Sequence, residues 1–272
     1  MDLANRVITG FFNLLVWPLA PLPPVWALTV ISVFAGAVMV WIFGRVSRQE
    51  QIRGVKDRIR GNLFGVRLYQ HEIGVVFRLQ KQIMADTVRY MGLSVAPMLV
   101  ILIPMSLIVV QLNLHFASRP LKPGEQAIVR VSVTDPALLN RAISLKGNGS
   151  FVVETPPVRM ASAKEAAWRI RAVRPGHHSL KVQIGDQEVA KALDIGNNWR
   201  GVSQLRTASW VDSFLYPSEP RLNSRLGIDA VEVLYRPLPL EVLGLNVDWL
   251  VFFFIISVIA GFSLKGVFGV QL

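Results

Sequence analysis

The stretch VRYMGLSVAPMLVILIPMSLIV, residues 88–109, decides the fold. Here a charged helical segment continues into an apolar segment, and no obvious helix-ending signal separates the two. Methionines recur every seven residues along it and just before it, at Met84, Met91, Met98 and Met105. Residues seven apart lie near one stripe of an α-helix. A single helix here would carry a flexible, polarisable seam from water into a bilayer.

The composition of the whole chain agrees with a membrane protein. Of its 272 residues, 52% are hydrophobic and 17% are charged, and the mean hydropathy is +0.42. Such values, together with long uncharged runs, are typical of membrane proteins. The chain has no cysteine, which excludes disulfides, thiolate metal ligands and thiol catalysis.

Positive charge is concentrated in one short segment. Residues 45–92 contain ten Lys/Arg and four Asp/Glu, a net charge of 10 − 4 = +6 between two apolar spans. This is the positive-inside pattern, so we expect the segment to be cytoplasmic. The basic surface consists of Arg45, Arg48, Arg53, Lys56, Arg58, Arg60 and Arg67. These residues could contact a ribosome or nascent chain, or only fix topology and touch anionic headgroups, and we expect no specific nucleic-acid sequence as partner.

The patterns predict an α-helical membrane protein with three transmembrane helices and a cytoplasmic helical hairpin. Residues 1–24 form an interfacial amphipathic helix and a proline-rich elbow, and the spans are residues 25–44, 93–114 and 248–269. Residues 45–92 show coiled-coil spacing of apolar residues, and Gly61, Gly65 and Gly74 weaken the middle, which predicts a hairpin turning near residues 61–65. The first span is interpreted as retained, since residues 1–24 lack the pattern of a signal peptide.

An all-β domain is predicted between the second and third spans. Short alternating runs separated by Pro-Gly and Gly-Asn-Gly turns occupy residues 115–196 and are typical of an immunoglobulin-like sandwich. Residues 197–247 are expected to pack on this sandwich or along the membrane. The resulting topology places the N-terminus and the sandwich outside and the C-terminus in the cytoplasm of a bacterial inner membrane.

The plan of the helices resembles the YidC/Oxa superfamily of membrane-protein insertases. The resemblance is carried by GFFNLLVWPLAPLPPVWALTVISVF, residues 10–34, and by residues 88–109. It implies an insertase or insertion chaperone that needs no cofactor and receives client segments through a cytoplasm-facing groove between the first two spans. Bacterial members have a positive charge in this groove; the matching position falls near Gly36 here, and the nearest arginine is Arg45. The resemblance therefore implies an uncharged groove.

The candidate client-binding residues are the polar and methionine side chains of these spans. They are Thr29, Ser32, Met84, Met91, Ser94, Met98, Met105, Ser106 and Gln111. The methionines could bind variable apolar segments, or Met98 and Met105 could simply pack against the other spans.

A second hypothesis is a structural or assembly subunit of a larger membrane complex, with the sandwich as its docking module. Lipids and client membrane proteins are the expected partners, with the ribosome or other membrane subunits as further candidates. His177 and His178 would point to opposite faces of a strand, which predicts no metal site. No Ser/His/Asp arrangement, phosphate loop or dinucleotide fingerprint is evident, so we expect no enzymatic activity and no cofactor.

Overall fold

The computed structural model describes residues 2–197, 199, 201–242 and 244–270, without the side chains of residues 2–6 and 96. Two compact units make up the chain, one of Met1–Ala27 with Val109–Trp249 and the other of Leu28–Ile108 with Leu250–Leu272. The helices are α1 (Asp2–Val16), α2 (Pro24–Val46), α3 (Gln49–Leu68), α4 (Ile73–Phe116), α5 (Trp210–Leu215) and α6 (Trp249–Leu264).

Two of these helices are long and apolar enough to cross a membrane. They are α2, with 23 residues, and α4, with 44 residues. The prediction of membrane-length apolar helices is confirmed for these two. The apolar helix α6 has only 16 residues, about 24 Å of helix, so the third span stays a prediction. Helix α4 continues through Pro97 and Pro104.

The predicted helical hairpin is present, but its turn lies elsewhere. Helix α3 ends at Leu68 and α4 begins at Ile73, so the turn predicted near residues 61–65 was wrong by several residues. Gly65 lies inside α3, where a Cβ atom would come 3.0 Å from the Leu79 side chain of α4. Packing of the two helices at this glycine therefore overrides its weak helix propensity.

The unit of Met1–Ala27 with Val109–Trp249 contains a β-sandwich-like region. Its strands are β1 (Gln126–Val133), β2 (Ile143–Lys146), β3 (Phe151–Val153), β4 (Val158–Met160), β5 (Glu165–Ala172), β6 (Gly176–Ile184), β7 (Gln187–Ile195), β8 (Leu205–Thr207), β9 (Ile228–Leu234), β10 (Leu240–Val242) and β11 (Leu245–Val247). One sheet has the order β3-β5-β1-β9-β8, with β4 also paired to β5; a second has the order β2-β6-β7, and β10 pairs with β11. One hydrophobic core takes buried residues from both larger sheets.

The sandwich extends beyond its predicted boundary. Strand β9 pairs along β1 in the middle of the larger sheet, with Val129 opposite Val233. The predicted end at residue 196 is therefore too early, because the central pairing partner of β1 comes from residues 228–234. Part of the segment predicted to pack on the sandwich is thus one of its strands.

Candidate functional site

Helices α3 and α4 form an antiparallel arm held by polar and cation–π contacts. Arg58 Nη2 lies 3.1 Å from Asp86 Oδ1, and Lys56 Nζ lies 5.3 Å from the Tyr90 ring centroid. The Arg58 side chain is half exposed, so this ion pair contributes little to stability. Its main effect is to fix which side of α4 faces α3.

A second side of α4 is left uncovered, and we call it the apolar seam. It consists of Phe77, Met84, Val88, Met91, Val95, Met98 and Leu102, all of them exposed. The spacing from Met84 onward alternates between four and three residues, which keeps the seam on one line along the helix. Its methionines Met84, Met91 and Met98 are 67%, 61% and 63% exposed. The predicted seam of methionines therefore exists as one continuous surface over these three residues.

The fourth methionine lies in a different environment. Met105 lines a groove of about 250 Å³ together with Met39, Phe43, Ile101 and Phe262. This groove is formed by α2, α4 and α6, and Ser257 is its polar contributor among the described lining residues. Close helix packing limits the groove, because a Cβ atom on Gly36 would collide with the Ser257 carbonyl. Met105 is half-buried and belongs to this apolar groove, not to the exposed seam.

The polar residues predicted to line a groove are not among the described lining residues of the groove above. Ser32, Ser94 and Ser106 each donate a hydrogen bond to a carbonyl of their own helix, at 2.6, 3.0 and 2.8 Å respectively. Thr29 is half-buried in α2, and Gln111 belongs to the other compact unit. The three serine hydroxyls are therefore satisfied locally.

The predicted basic residues divide into paired and exposed groups. Arg58 pairs with Asp86, and Arg60 lies 3.9 Å from Asp57 at the surface. Arg45 stacks over Trp41, with its guanidinium carbon 5.3 Å from the ring centroid. Arg48, Arg53 and Arg67 are exposed. The arm thus presents a solvated cationic surface, as expected for either alternative use of it.

Sequence reasoning missed a buried ionic network at the sandwich. Lys191 on β7 is fully buried, and its Nζ donates hydrogen bonds to Glu219 Oε1 at 2.5 Å and to the Ser203 carbonyl at 2.6 Å. Burial lowers the pKa of Lys191, and the Glu219 carboxylate opposes this effect. The signal was present in the sequence, because strand alternation puts Lys191 on the same face as Val189 and Leu193.

A second ionic cluster lies where the chain enters the sandwich. Arg119 donates two hydrogen bonds of 2.8 Å to the Glu125 carboxylate, and Arg236 Nε lies 2.9 Å from Glu125 Oε1. These bonds, led by the one from Arg119, lower the pKa of Glu125 to about 2. Bidentate arginine–carboxylate pairs are among the stronger polar contacts in proteins, so the cluster ties residue 119 to the end of β9.

Comparisons with known proteins do not extend this description. No protein-family model matches the chain, and no curated protein sequence matches it. Two solved structures are similar to about a third of it: the S-layer protein rSbsC(31-844), at 13% identity over 29% of this chain and 12% of that one, and SbsC domains 4 and 5, at 14% identity over 30% and 48%. Both have a TM-score of 0.23, which carries no argument about fold or function.

Proposed function

We propose that this protein is a YidC/Oxa-like insertase or insertion chaperone that receives apolar client segments along α4. One observation carries the proposal: from Met84 onward the apolar seam recurs every three or four residues, from the charged arm into the part of α4 that is apolar enough to cross a membrane. From residue 77 to residue 102 it spans about 38 Å of helix. A client helix could therefore contact the same line of side chains in water and in lipid.

The chemistry of the seam suits a variable apolar partner. Methionine side chains are unbranched and polarisable, so they adapt to segments of different shape. Arg78, Lys81 and Arg89 lie beside the N-terminal half of the seam and are exposed. They favour the cytoplasmic side for this half and would attract acidic residues that flank a client segment.

The membrane arrangement is part of the same proposal. We propose that the protein crosses an inner membrane three times, with α6 as the third span. An immunoglobulin-like sandwich would then lie outside, and the C-terminus would lie in the cytoplasm. Support comes from the basic arm and from α1, whose Val7, Phe11 and Leu14 are exposed. An amphipathic helix with an exposed apolar face fits the interface of a bilayer.

The composition of the groove between α2, α4 and α6 argues against an electrostatic mechanism. It has no charged residue among its described lining residues, so an electrostatic pull on polar client segments is not part of the proposal. The seam instead shields an apolar segment from water until it reaches lipid. Clients with long uncharged segments should therefore depend on this protein more than clients with polar ones.

Site-specific photocrosslinking tests the proposal. A photoreactive phenylalanine analogue would replace Met84, Met91 or Met98 in turn, and translation of a membrane client would follow. The controls are Phe64 on α3 and Ile103 on α4, which are as exposed as the seam residues but lie off it. We expect nascent-chain adducts at the three seam positions and few at the controls. Equal adduct yields at seam and control positions would reject the proposal.

The packing of α2 against α6 favours a second candidate function, that of an assembly subunit. Gly36 and Gly261 let these helices approach closely, with Gly261 lying against Val40, and a closely packed apolar bundle suits a scaffold. Native mass spectrometry from mild detergent distinguishes the two candidates. A stable stoichiometric complex with one partner set supports the assembly role, whereas a monomer with transient clients supports the insertase.

A further inference from the structure

Helix α1 turns polar residues toward the rest of its unit. Thr9 Oγ1 accepts a hydrogen bond of 3.1 Å from Gln111 Nε2, and Asn13 Oδ1 lies 3.0 Å from His115 Nε2. Val7, Phe11 and Leu14 of α1 are exposed, whereas Val16 is buried, so the surface between α1 and the sandwich combines polar groups with apolar side chains. This surface is not filled by side chains.

A cleft lies at this surface. One cavity of about 410 Å³ is lined by residues of α1, the end of α4, β7 and the loop after it. A second cavity of about 760 Å³ lies beside the proline-rich elbow and shares Trp17, Ala20 and Trp199 with the first. We call the two together the α1 cleft. The first cavity alone is within the usual size range of small-molecule sites.

Two tryptophans form aromatic surfaces of the cleft. Trp199 is held in place, since its Nε1 donates a hydrogen bond of 3.1 Å to the Leu22 carbonyl and its ring stacks on Phe116 at 5.1 Å between centroids. Trp17 is 72% exposed. One ring is therefore fixed, and the other is available at the opening.

Hydrogen-bonding groups of several elements line the same cavity. They include the side chains of Asn13, Asp194 and Ser218. Ser203 also lines the cavity, but its hydroxyl is already bonded to Lys191, Glu219 and Ser218. Asp194 Oδ1 lies 2.5 Å from His177 Nδ1, whereas Oδ2 accepts only a long bond of 3.4 Å from the Ser203 amide. Oδ2 can therefore accept a further hydrogen bond from a ligand hydroxyl.

Charge excludes two classes of ligand. The described lining residues of both cavities include no lysine or arginine, so a phosphate group would lack a cationic partner. Asp194 is the carboxylate of the lining, and it is already bonded to His177. A cation would therefore find at most the single oxygen Oδ2, and the described residues hold no group of three or more His, Asp or Glu side chains that could bind a metal ion. The remaining class is uncharged, with several hydroxyls and an apolar face.

We infer that the α1 cleft binds a neutral sugar, presented either as a free glycan or as the headgroup of a glycolipid. A sugar ring has hydroxyls that match the Asp194 carboxylate, the Ser218 hydroxyl and the Asn13 amide, and its C–H face packs on an indole ring. This inference does not depend on the proposed insertase function, since all of its residues lie in the unit that contains the sandwich.

Binding measurements on the full chain in nanodiscs test the inference with two arms. The soluble arm uses methyl glucoside, methyl galactoside and maltose, followed by saturation-transfer NMR and tryptophan fluorescence. The lipid arm compares nanodiscs of phosphatidylcholine with and without diglucosyl diacylglycerol, or with phosphatidylglycerol. Saturable binding in the soluble arm identifies a free glycan, and binding in the lipid arm alone identifies a glycolipid.

Variants connect the binding to the cleft. Asp194→Asn and Trp17→Ala should each weaken sugar binding about tenfold, whereas Asp186→Asn, at an exposed turn, should leave it unchanged. Trp17→Ala should not disturb folding, because the side chain is mostly exposed. A loss of binding in this variant would therefore report on the cleft itself. Absence of saturable sugar binding in both arms, undiminished binding by both cleft variants, or a preference for phosphatidylglycerol would overturn the inference.

Discussion

Valine has opposite surroundings in two regions of this protein. In the sandwich, Val129 and Val131 on β1 are completely buried, whereas Val88 and Val95 on α4 are 63% and 51% exposed. The sandwich places its apolar residues inside and joins most of its buried charges in pairs. The helix places a line of apolar residues outside. The sandwich is therefore built for water, and the exposed line of α4 suits lipid or an apolar partner.

The period of the apolar pattern explains the difference. A strand has one apolar face, and pairing with its neighbours and the facing sheet covers it. Helix α4 has apolar residues on more than one line, and α3 can cover only the line that faces it. Leu79, which lies against Gly65 of α3, is half-buried, and Met84 on the seam is exposed. The uncovered line is the region where we place function.

The largest expected effect comes from breaking the buried pair of the sandwich. Glu219→Ala would leave the Lys191 ammonium buried without its carboxylate, which costs about 3–5 kcal/mol of unfolding free energy. We expect faster hydrogen exchange in peptides from β6 and β7 of the detergent-solubilised chain, measured by mass spectrometry. Exchange in α3 and the seam region of α4 should not change.

The matched control removes a carboxylate that is half exposed. Glu232 lies 3.5 Å from Arg130 at the surface of β9, and Glu232→Ala should cost less than about 1 kcal/mol. The double variant Lys191→Met/Glu219→Leu should recover much of the lost stability, since it removes the uncompensated charge. Equal effects of Glu219→Ala and Glu232→Ala would show that the buried pair is not a main determinant of sandwich stability.

A pair of truncations compares the two regions directly. Leu180 is fully buried in β6, so Leu180→Ala should lower the unfolding free energy by about 2–5 kcal/mol. Met84→Ala should change it by less than about 0.5 kcal/mol, because the side chain is exposed. Thermal unfolding followed by circular dichroism measures both. A large loss of stability for Met84→Ala would mean that the seam is an internal contact and not a binding surface.

Particular residues show how far the sequence alone could lead. The alternation in residues 126–133 predicts β1, and the heptad of methionines predicts the seam, because both depend on regular periods. The turn of the arm could not be located, since Gly61 and Gly65 weaken a helix in isolation and only contact with Leu79 shows why Gly65 stays helical. Pairing of β9 with β1 joins residues about a hundred positions apart, and no local pattern specifies such a pairing.

The candidate site was predicted unevenly for the same reason. Met84, Met91 and Met98 share one helix, so their spacing places them together. Thr29, Ser32 and Ser94 come from two helices. Predicting that they share a polar groove requires the hydrogen-bond partner of each hydroxyl, which the sequence does not show. Each of the two serines instead bonds to its own helix. The α1 cleft involves four separate parts of the chain, and no spacing rule brings these together.

The smallest effect concerns the entrance to the sandwich and its dependence on pH. The Arg119 hydrogen bonds lower the pKa of Glu125 from an ordinary 4.5 to about 2. A lowered pKa means that the carboxylate stabilises the folded state above pH 4.5, and this stabilisation is lost as the pH falls toward 2. Glu125→Gln should therefore cost about 1.5–3 kcal/mol at neutral pH. The difference in melting temperature between the wild type and this variant, followed by intrinsic fluorescence, should shrink steadily from pH 5 to pH 2.5.

Asp229→Asn, which removes an exposed carboxylate bonded to Thr134, should show no comparable convergence. A gap between wild type and Glu125→Gln that stays constant over this range would mean that Arg119 and Arg236 hold the glutamine as well as the carboxylate, and that the entrance depends on hydrogen bonding and not on charge.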